Sequence, residues 1–176
     1  MDGDRFRRLI EPVHDRALGF ARCLCRSSAD GDDLFQEAMV RALAKLGGLR
    51  EDAAFRPWLY RIVITVHRSR SRRAFWRRLL PLPDVEDGET DYRSEARPGD
   101  IAAARRARAA LARLPAEQRE AIVLFEIEGW LVEEIAALHG VSASAIKSRL
   151  ARGRARLRGF YDEEPARAAV EVGDTP

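Results

Sequence analysis

Residues 131–158 read LVEEIAALHGVSASAIKSRLARGRARLR, two apolar segments flanking a Gly140-Val141-Ser142 break. The first segment carries Leu131, Ile135, Ala136 and Leu138 on one side. The second carries Ile146, Leu150 and Leu157, with the side-chain-free Gly153 in the slot between. That spacing lines up on one side of a helix and would be split between the two faces of a strand. Gly140 can take the left-handed conformation that ends a helix, and the Ser142 hydroxyl can cap the next one. Helix, glycine-bearing turn and helix make the helix-turn-helix pattern. From Ser142 to Arg158 every charge is basic: Lys147, Arg149, Arg152, Arg154, Arg156 and Arg158. A polyanion is the expected partner.

Working outward, 176 residues suffice for one compact domain or two small ones. The formal net charge is only +3, so the placement of charge says more than its sum. Cys23 and Cys25 are too few to staple a secreted domain. The start, MDGDRFRRLIEPVHDR, has no apolar core of a signal peptide, and no run has the length of a bilayer span. A soluble cytoplasmic protein without direct membrane insertion is expected.

Upstream, Phe6, Leu9, Ile10, Val13, Leu18, Phe20 and Ala21 recur at helical intervals, with Pro12 marking a helix start or a kink. Asp30-Gly31-Asp32 reads as a polar break capping a second helix through Leu34, Phe35, Ala38, Met39, Ala42, Leu43 and Leu46. Gly47-Gly48 ends it. A third helix starts near Ala54 with Pro57 in its first turn, where a missing N–H costs little. The β-branched run Ile62 to Val66 could form a strand, but Phe55, Trp58, Leu59 and Ile62 set a helical period ahead of it.

Between Arg61 and Arg78 there is no acidic residue and there are seven arginines, with Phe75 and Trp76 among them. Then the character reverses. Leu79 to Gly99 holds Pro81, Pro83 and Pro98 with six acids and no apolar period, as a flexible acidic linker would. Beyond it come an Ala/Arg helix from Ile101 to Leu114, a helix from Ala116 to Glu128, and the helix pair of residues 131–158. Residues 161–176 read as an acidic, frayed tail. The expected fold is all-α: two small helical domains, 1–78 and 100–160, joined by the linker 79–99, the second holding the helix-turn-helix.

Little here suits catalysis. His14, His67 and His139 are scattered, and no phosphate-cradling glycine loop or metal-spaced cluster occurs. Cys23-x-Cys25 lacks a zinc knuckle's spacing and reads as two small, buried hydrophobes. No enzyme activity, metal, cofactor or small-molecule substrate is expected.

Nucleic acid fits better. The second helix of a helix-turn-helix enters the major groove with its N-terminal residues toward base edges, here Ser144, Lys147 and Ser148 with Arg149 nearby. Lys and Arg suit guanine acceptors, whereas Ser specifies little alone. Arg152, Arg154 and Arg156 lie farther along, where phosphate contacts position without specifying. The stretch Arg61 to Arg78, with Trp58 and Tyr60 just upstream, suits single strands, where rings stack bases and arginines hold the backbone. Trp58 could equally be core. The acidic start of the second helix, with Asp32, Asp33 and Glu37, serves its dipole or meets a basic partner helix; residue chemistry alone leaves both open.

Read together, DDLFQEAMVRALAKL, FRPWLYRI and LPAEQREAIVLFEIEGWLVEEIAALHGVSASAIKSRLARGRARL resemble the extracytoplasmic-function sigma factors of the sigma-70 family, over roughly residues 5–158. The resemblance implies two helical domains, region 2 and region 4, that bind core RNA polymerase and direct it to promoter DNA. It implies that Asp33, Leu34, Gln36, Glu37 and Arg41 meet the clamp helices of the polymerase's largest subunit. It implies that Trp58, Arg61, Thr65, Arg68, Arg70, Arg72 and Arg73 melt and read the −10 element as single strand. Ser144, Lys147, Ser148, Arg149, Arg152 and Arg154 would read the −35 element as duplex. The linker would run through the RNA exit path, and an anti-sigma factor would restrain the whole.

The chain departs from the family pattern at Thr65, often Asn, and Ser69, often Asp, both near the pocket for a flipped −10 base. It departs again at Gly129 to Glu134, where a Ser or Thr and an aromatic usually precede the paired acids. Competing readings are a stand-alone helix-turn-helix repressor or activator and, more weakly, an anti-sigma-like or RNA-binding interaction protein. The Arg/aromatic stretch of the first domain favours the sigma factor, since a repressor has no use for a strand-melting surface.

Overall fold

A computed structural model describes residues 2–79 and 98–171, without the side chains of 75–79, 98–101 and 163–171. Most of the linker expected at 79–99, and the aromatics Phe75 and Trp76, lie outside what is described. Among the described residues there is no strand. The chain divides into two compact units, residues 1–94 and 95–176.

In the first unit α1 (Asp2–Ile10) and α2 (His14–Leu24) are separated by a turn at Pro12. The proline is therefore a break and not a kink, as its missing N–H dictates. The next helix, α3 (Ser28–Lys45), starts a few residues before the expected cap. Its N-cap is Ser27, whose Oγ accepts the Asp30 N–H at 3.1 Å. Asp30-Gly31-Asp32 thus lies inside the first turns, because Ser27 already caps the helix by taking one of its free N–H groups. Gly31 has another reason: a Cβ there would sit 2.5 Å from the Arg22 Cα, so α2 and α3 touch backbone to backbone. Arg22 and Asp32 close the same crossing with a 2.6 Å ion pair.

Two short 3₁₀ turns, Leu46–Gly48 and Asp52–Ala54, lead into α4 (Phe55–Leu79). The β-branched run is helical throughout. Leu34, Phe35, Ala38 and Ala42 of α3 form the core with Ala17, Phe20, Ala21 and Leu24 of α2 and Phe55, Leu59, Tyr60, Val63 and Val66 of α4, all buried. Phe20 and Tyr60 pack ring on ring at 4.9 Å. Tyr60 is core and gives no ring to a nucleic acid.

The second unit consists of α5 (Pro98–Ala112), α6 (Ala116–Ile122), α7 (Val132–His139) and α8 (Ala143–Glu171). After Ile122 the chain widens into a π-turn over Val123–Ile127, with the Glu128 N–H on the Val123 carbonyl at 3.0 Å. Gly140 closes α7 at φ +66, and the Val141 N–H reaches the Ala136 carbonyl at 3.1 Å, a left-handed C-terminal cap. Ser142 Oγ then accepts the Ala145 N–H at 3.2 Å, starting α8. Ile135, Ala136 and Leu138 of α7 and Ile146 and Leu150 of α8 are buried as expected. Leu131 is not: it is 63% exposed, because it is the extended N-cap of α7 and not part of its inner face. Its N–H is satisfied by Glu134 Oε2 at 2.8 Å, so the acid replaces the missing Ser or Thr cap from one side. Gly153 lies against Ile122, whose Cγ1 would be 2.8 Å from any added Cβ.

Where a frayed tail was expected from 161, α8 continues to Glu171. Cation–π contacts explain the start of this extension: Arg113, in the turn after α5, lies 4.7 Å over the Phe160 ring, and Arg106 of α5 lies 5.4 Å over Tyr161.

Candidate nucleic-acid and protein interfaces

In α4 the core positions Leu59, Val63 and Val66 fix how the helix is rolled. Trp58, Arg61, Thr65, Arg68 and Arg72 follow one another at three- and four-residue steps, which sets them in one stripe on the other side. Arg61, Thr65 and Arg72 are exposed and Trp58 and Arg68 half-buried, so the stripe is accessible along its length. Trp58 packs against Phe55 at 5.7 Å and keeps part of its ring outside the core. Thr65 Oγ1 donates to the Arg61 carbonyl at 2.7 Å, and Arg72 Nη2 donates to Ser69 Oγ at 3.4 Å. Both departures from the family pattern, Thr65 and Ser69, therefore lie on or beside this stripe. Arg73 flanks it, exposed.

Arg70 leaves the group. It turns toward α3, where its Nε donates to Glu37 Oε2 at 2.8 Å and its Nη2 to the Asp33 carbonyl at 3.3 Å. Glu37 also accepts from Arg41 at 2.6 Å. Desolvation pushes the Glu37 carboxyl up, but Arg70 and Arg41 outweigh it and hold it below the ordinary carboxylate range.

On α3, Asp33 and Gln36 are exposed and Glu37 and Arg41 half-buried. Leu34 is fully buried, because it starts the Leu34, Ala38, Ala42 row that faces α2 and α4; it is core and not contact surface. Val40 and Leu43 take the outer face instead, 70% and 46% exposed. The sequence reading passed over Val40 and counted Leu43 simply among the apolar positions of the helix. Their offset from the buried row was the available signal, since they fall on the side of Gln36.

In α8, Ser144, Lys147 and Ser148 are exposed on one face, opposite Ile146, Leu150 and Gly153. Arg152 is exposed, with Nε on the Ser148 carbonyl at 3.3 Å. Arg149 and Arg154 are engaged within the unit. Arg149 pairs with Glu117 at 2.8 Å and its side chain is 14% exposed. Arg154 pairs with Glu126 at 2.6 Å and lies 5.4 Å over Phe125.

Among the described residues no group of three or more His, Cys, Asp or Glu could hold a metal ion, and no helix is long and apolar enough to cross a membrane. Cys23 and Cys25 form no disulfide and are only partly buried.

Two family profiles match the chain, one described as Sigma-70 region 2 over residues 9–77 and one as Sigma-70, region 4 over residues 104–157. It is 39% identical over 157 residues to the ECF RNA polymerase sigma factor SigM of Mycobacterium tuberculosis, covering 88% of this chain and 77% of that one. It is 31% identical over 160 residues to the RNA polymerase sigma factor CarQ of Myxococcus xanthus, covering 91% of each. Among solved structures it is similar to the sigma factor RpoE of Bartonella quintana in complex with the anti-sigma factor NepR. The TM-score is 0.64 at 27% identity, covering 89% of this chain and 96% of that one.

Proposed function

The chain belongs to the extracytoplasmic-function sigma factors of the sigma-70 family and serves RNA polymerase as a promoter-specificity factor, and we propose how its residues divide that work. The first unit is region 2. The α3 face of Asp33, Gln36, Glu37 and Arg41, extended by the apolar Val40 and Leu43, receives the clamp helices of core polymerase. The α4 stripe of Trp58, Arg61, Thr65, Arg68 and Arg72, flanked by Arg73, takes the single-stranded −10 element. The second unit is region 4, in which Ser144, Lys147, Ser148 and Arg152 meet the −35 duplex. Residues 79–99 are the linker. An anti-sigma factor restrains the protein, a partner of the class found in the similar RpoE–NepR complex, and the site of action is the cytoplasm.

The observation that carries this reading is the accessible ring-and-arginine stripe on α4. A half-exposed Trp leading a row of cations suits unstacked bases and has no role on duplex alone. The regulatory role rests on polymerase for its chemistry, since the chain brings binding surfaces and the polymerase makes the phosphodiester bond.

The test is run-off transcription by the purified chain with core polymerase on a library of genomic promoters. Initiation from a discrete set of start sites, dependent on the added chain, is expected. Tight duplex binding by the protein alone, with no polymerase association, would mark it as a stand-alone regulator. Gln36→Ala with Val40→Asp should weaken polymerase association while far-UV helix content stays unchanged. Unaltered association would remove the α3 face from the assignment.

A further inference from the structure

His139, the last residue of α7, and Glu120 of α6 both have side chains wholly inaccessible to solvent. Arg149 Nη1 lies 3.1 Å from His139 Nδ1, and Arg149 Nη2 lies 2.8 Å from Glu117 Oε2. At the other edge of the ring, Nε2 lies 3.8 Å from Glu120 Oε2. The direction of these contacts defines the state of the imidazole. A guanidinium has donors only, so Nδ1 accepts and the ring hydrogen sits on Nε2, toward Glu120. The ring is therefore neutral.

The row Glu117, Arg149, His139, Glu120 joins three elements: α6, the end of α7 and the start of α8. Arg149 follows Ser148 directly on the helix that carries Ser144 and Lys147. Its charge is taken by Glu117 and its side chain is 14% exposed, so it is spent inside the unit. Holding α8 to the last turn of α7 sets the angle at which Lys147 is presented, and apolar packing at Ile146 and Leu150 alone fixes roll less tightly than directional bonds do.

We propose that His139 and Arg149 are positioning residues for the recognition helix, and that a neutral His139 is needed for reading the −35 element. The proposal rests on the assignment of α8 to that element. The imidazole is the side chain that changes charge in the mildly acidic range. A proton on Nδ1 sets N–H against the Arg149 N–H groups and charge against charge. The charged ring then turns its attraction to Glu120, Arg149 keeps Glu117 alone, and α8 loses its directional bond to the last turn of α7, leaving only apolar packing. Reading of the −35 element is thereby acid-sensitive, and the charged groups that decide it are Glu117 and Glu120 of α6 and Arg149 of α8.

Two arms test this on the full chain. In the first, nuclear magnetic resonance on protein with nitrogen-15 in its histidines reports the tautomer. One of the three rings, absent from the His139→Asn variant, should show an unprotonated Nδ1 at about pH 7.5. A protonated Nδ1 overturns the proposal. In the second, initiation with core polymerase is measured as the ratio of an intact to a scrambled −35 element. For the unsubstituted chain that ratio should fall about tenfold between about pH 7.5 and about pH 5.5, the scale of one bond to a charged group. His139→Asn should hold its ratio across the range, since the amide oxygen replaces Nδ1 as acceptor and takes up no proton. Parallel profiles for the two proteins, or a flat profile for the unsubstituted chain, overturn the proposal. Glu117→Gln leaves the ring in place and gives a test of sign. Removing an anion beside DNA should strengthen binding on electrostatics alone, whereas here the ratio should fall; a rise makes Arg149 a DNA contact and refutes its positioning role. If the chain initiates nowhere, the −35 assignment fails, and the tautomer arm still decides the Arg149–His139 contact.

Discussion

At Glu37 two guanidiniums converge, Arg41 one turn on at 2.6 Å and Arg70 from α4 at 2.8 Å. Because its folded pKa is lowered, Glu37 contributes stability that is present above the unfolded carboxyl's range and lost as pH falls through the lowered folded value. Glu37→Gln should therefore cost roughly 0.5–1 kcal/mol at neutral pH, and the difference from the unsubstituted chain should vanish in acid. Urea unfolding of both proteins at stepped pH checks this; a difference that persists below the carboxylate range would mean the side chain acts through packing. The pairing was not legible in sequence. Glu37 and Arg70 are 33 residues apart, and each has an adequate local reason for its charge, a helix N-terminal half for one and a basic run for the other. Only the roll of α4, set by its core row, aims Arg70 at α3. Lys147, by contrast, was legible, because its exposure follows from the Ile146 and Leu150 positions beside it. Lys147→Ala should weaken −35-dependent initiation by about 1–3 kcal/mol if it reads a base, with no loss on a scrambled element. Arg152→Ala should weaken both templates alike and lower the salt slope by about one.

Among the helices, two glycines with the same composition signal have opposite consequences. Gly31 and Gly19 both stand inside helices of the first unit, and alanine is the better helix former by about 1 kcal/mol. At Gly19 nothing lies within 4 Å of an added Cβ, so Gly19→Ala should stabilise by about that amount. At Gly31 the Cβ would meet the Arg22 Cα at 2.5 Å, and α2 and α3 must separate. Gly31→Ala should destabilise by about 1–3 kcal/mol or more despite its better propensity. Thermal unfolding of the two variants decides between them, and a stabilised Gly31→Ala would mean that the crossing is loose. The sequence suggested a break at Asp30-Gly31-Asp32 because propensity is a local quantity, while the cause of this glycine is a backbone nine residues earlier. Gly153 was read correctly since its slot between Leu150 and Leu157 shows the apolar row it belongs to. The Gly140 turn and Ser142 cap were legible for a similar reason: capping is chemistry between neighbours in sequence. The reach of α8 past 161 was not, because the arginines that hold Phe160 and Tyr161 stand on α5 and in the turn that follows it.

In the proposed division of work the two units read different DNA states, and that division has a measurable consequence. The reversal of charge after Arg78 made two helical units legible, because no single core could accommodate so acidic and proline-rich a middle. Trp58 belongs to the first unit and Lys147 to the second. If Trp58 stacks a base of the melted −10 element, Trp58→Ala should cost about 1–3 kcal/mol in open-complex formation. That loss should persist when the −35 element is scrambled, whereas the loss from Lys147→Ala should disappear. On an intact promoter the double variant should lose the sum of the two within about 0.5 kcal/mol, the behaviour of sites without shared partners. Four promoters, intact or scrambled at each element, and four proteins make the comparison complete. A double variant losing clearly less than the sum would show that the two units act in series, one contact being useful only once the other has formed. In that case polymerase would be selecting a single engaged state and not adding two independent contacts.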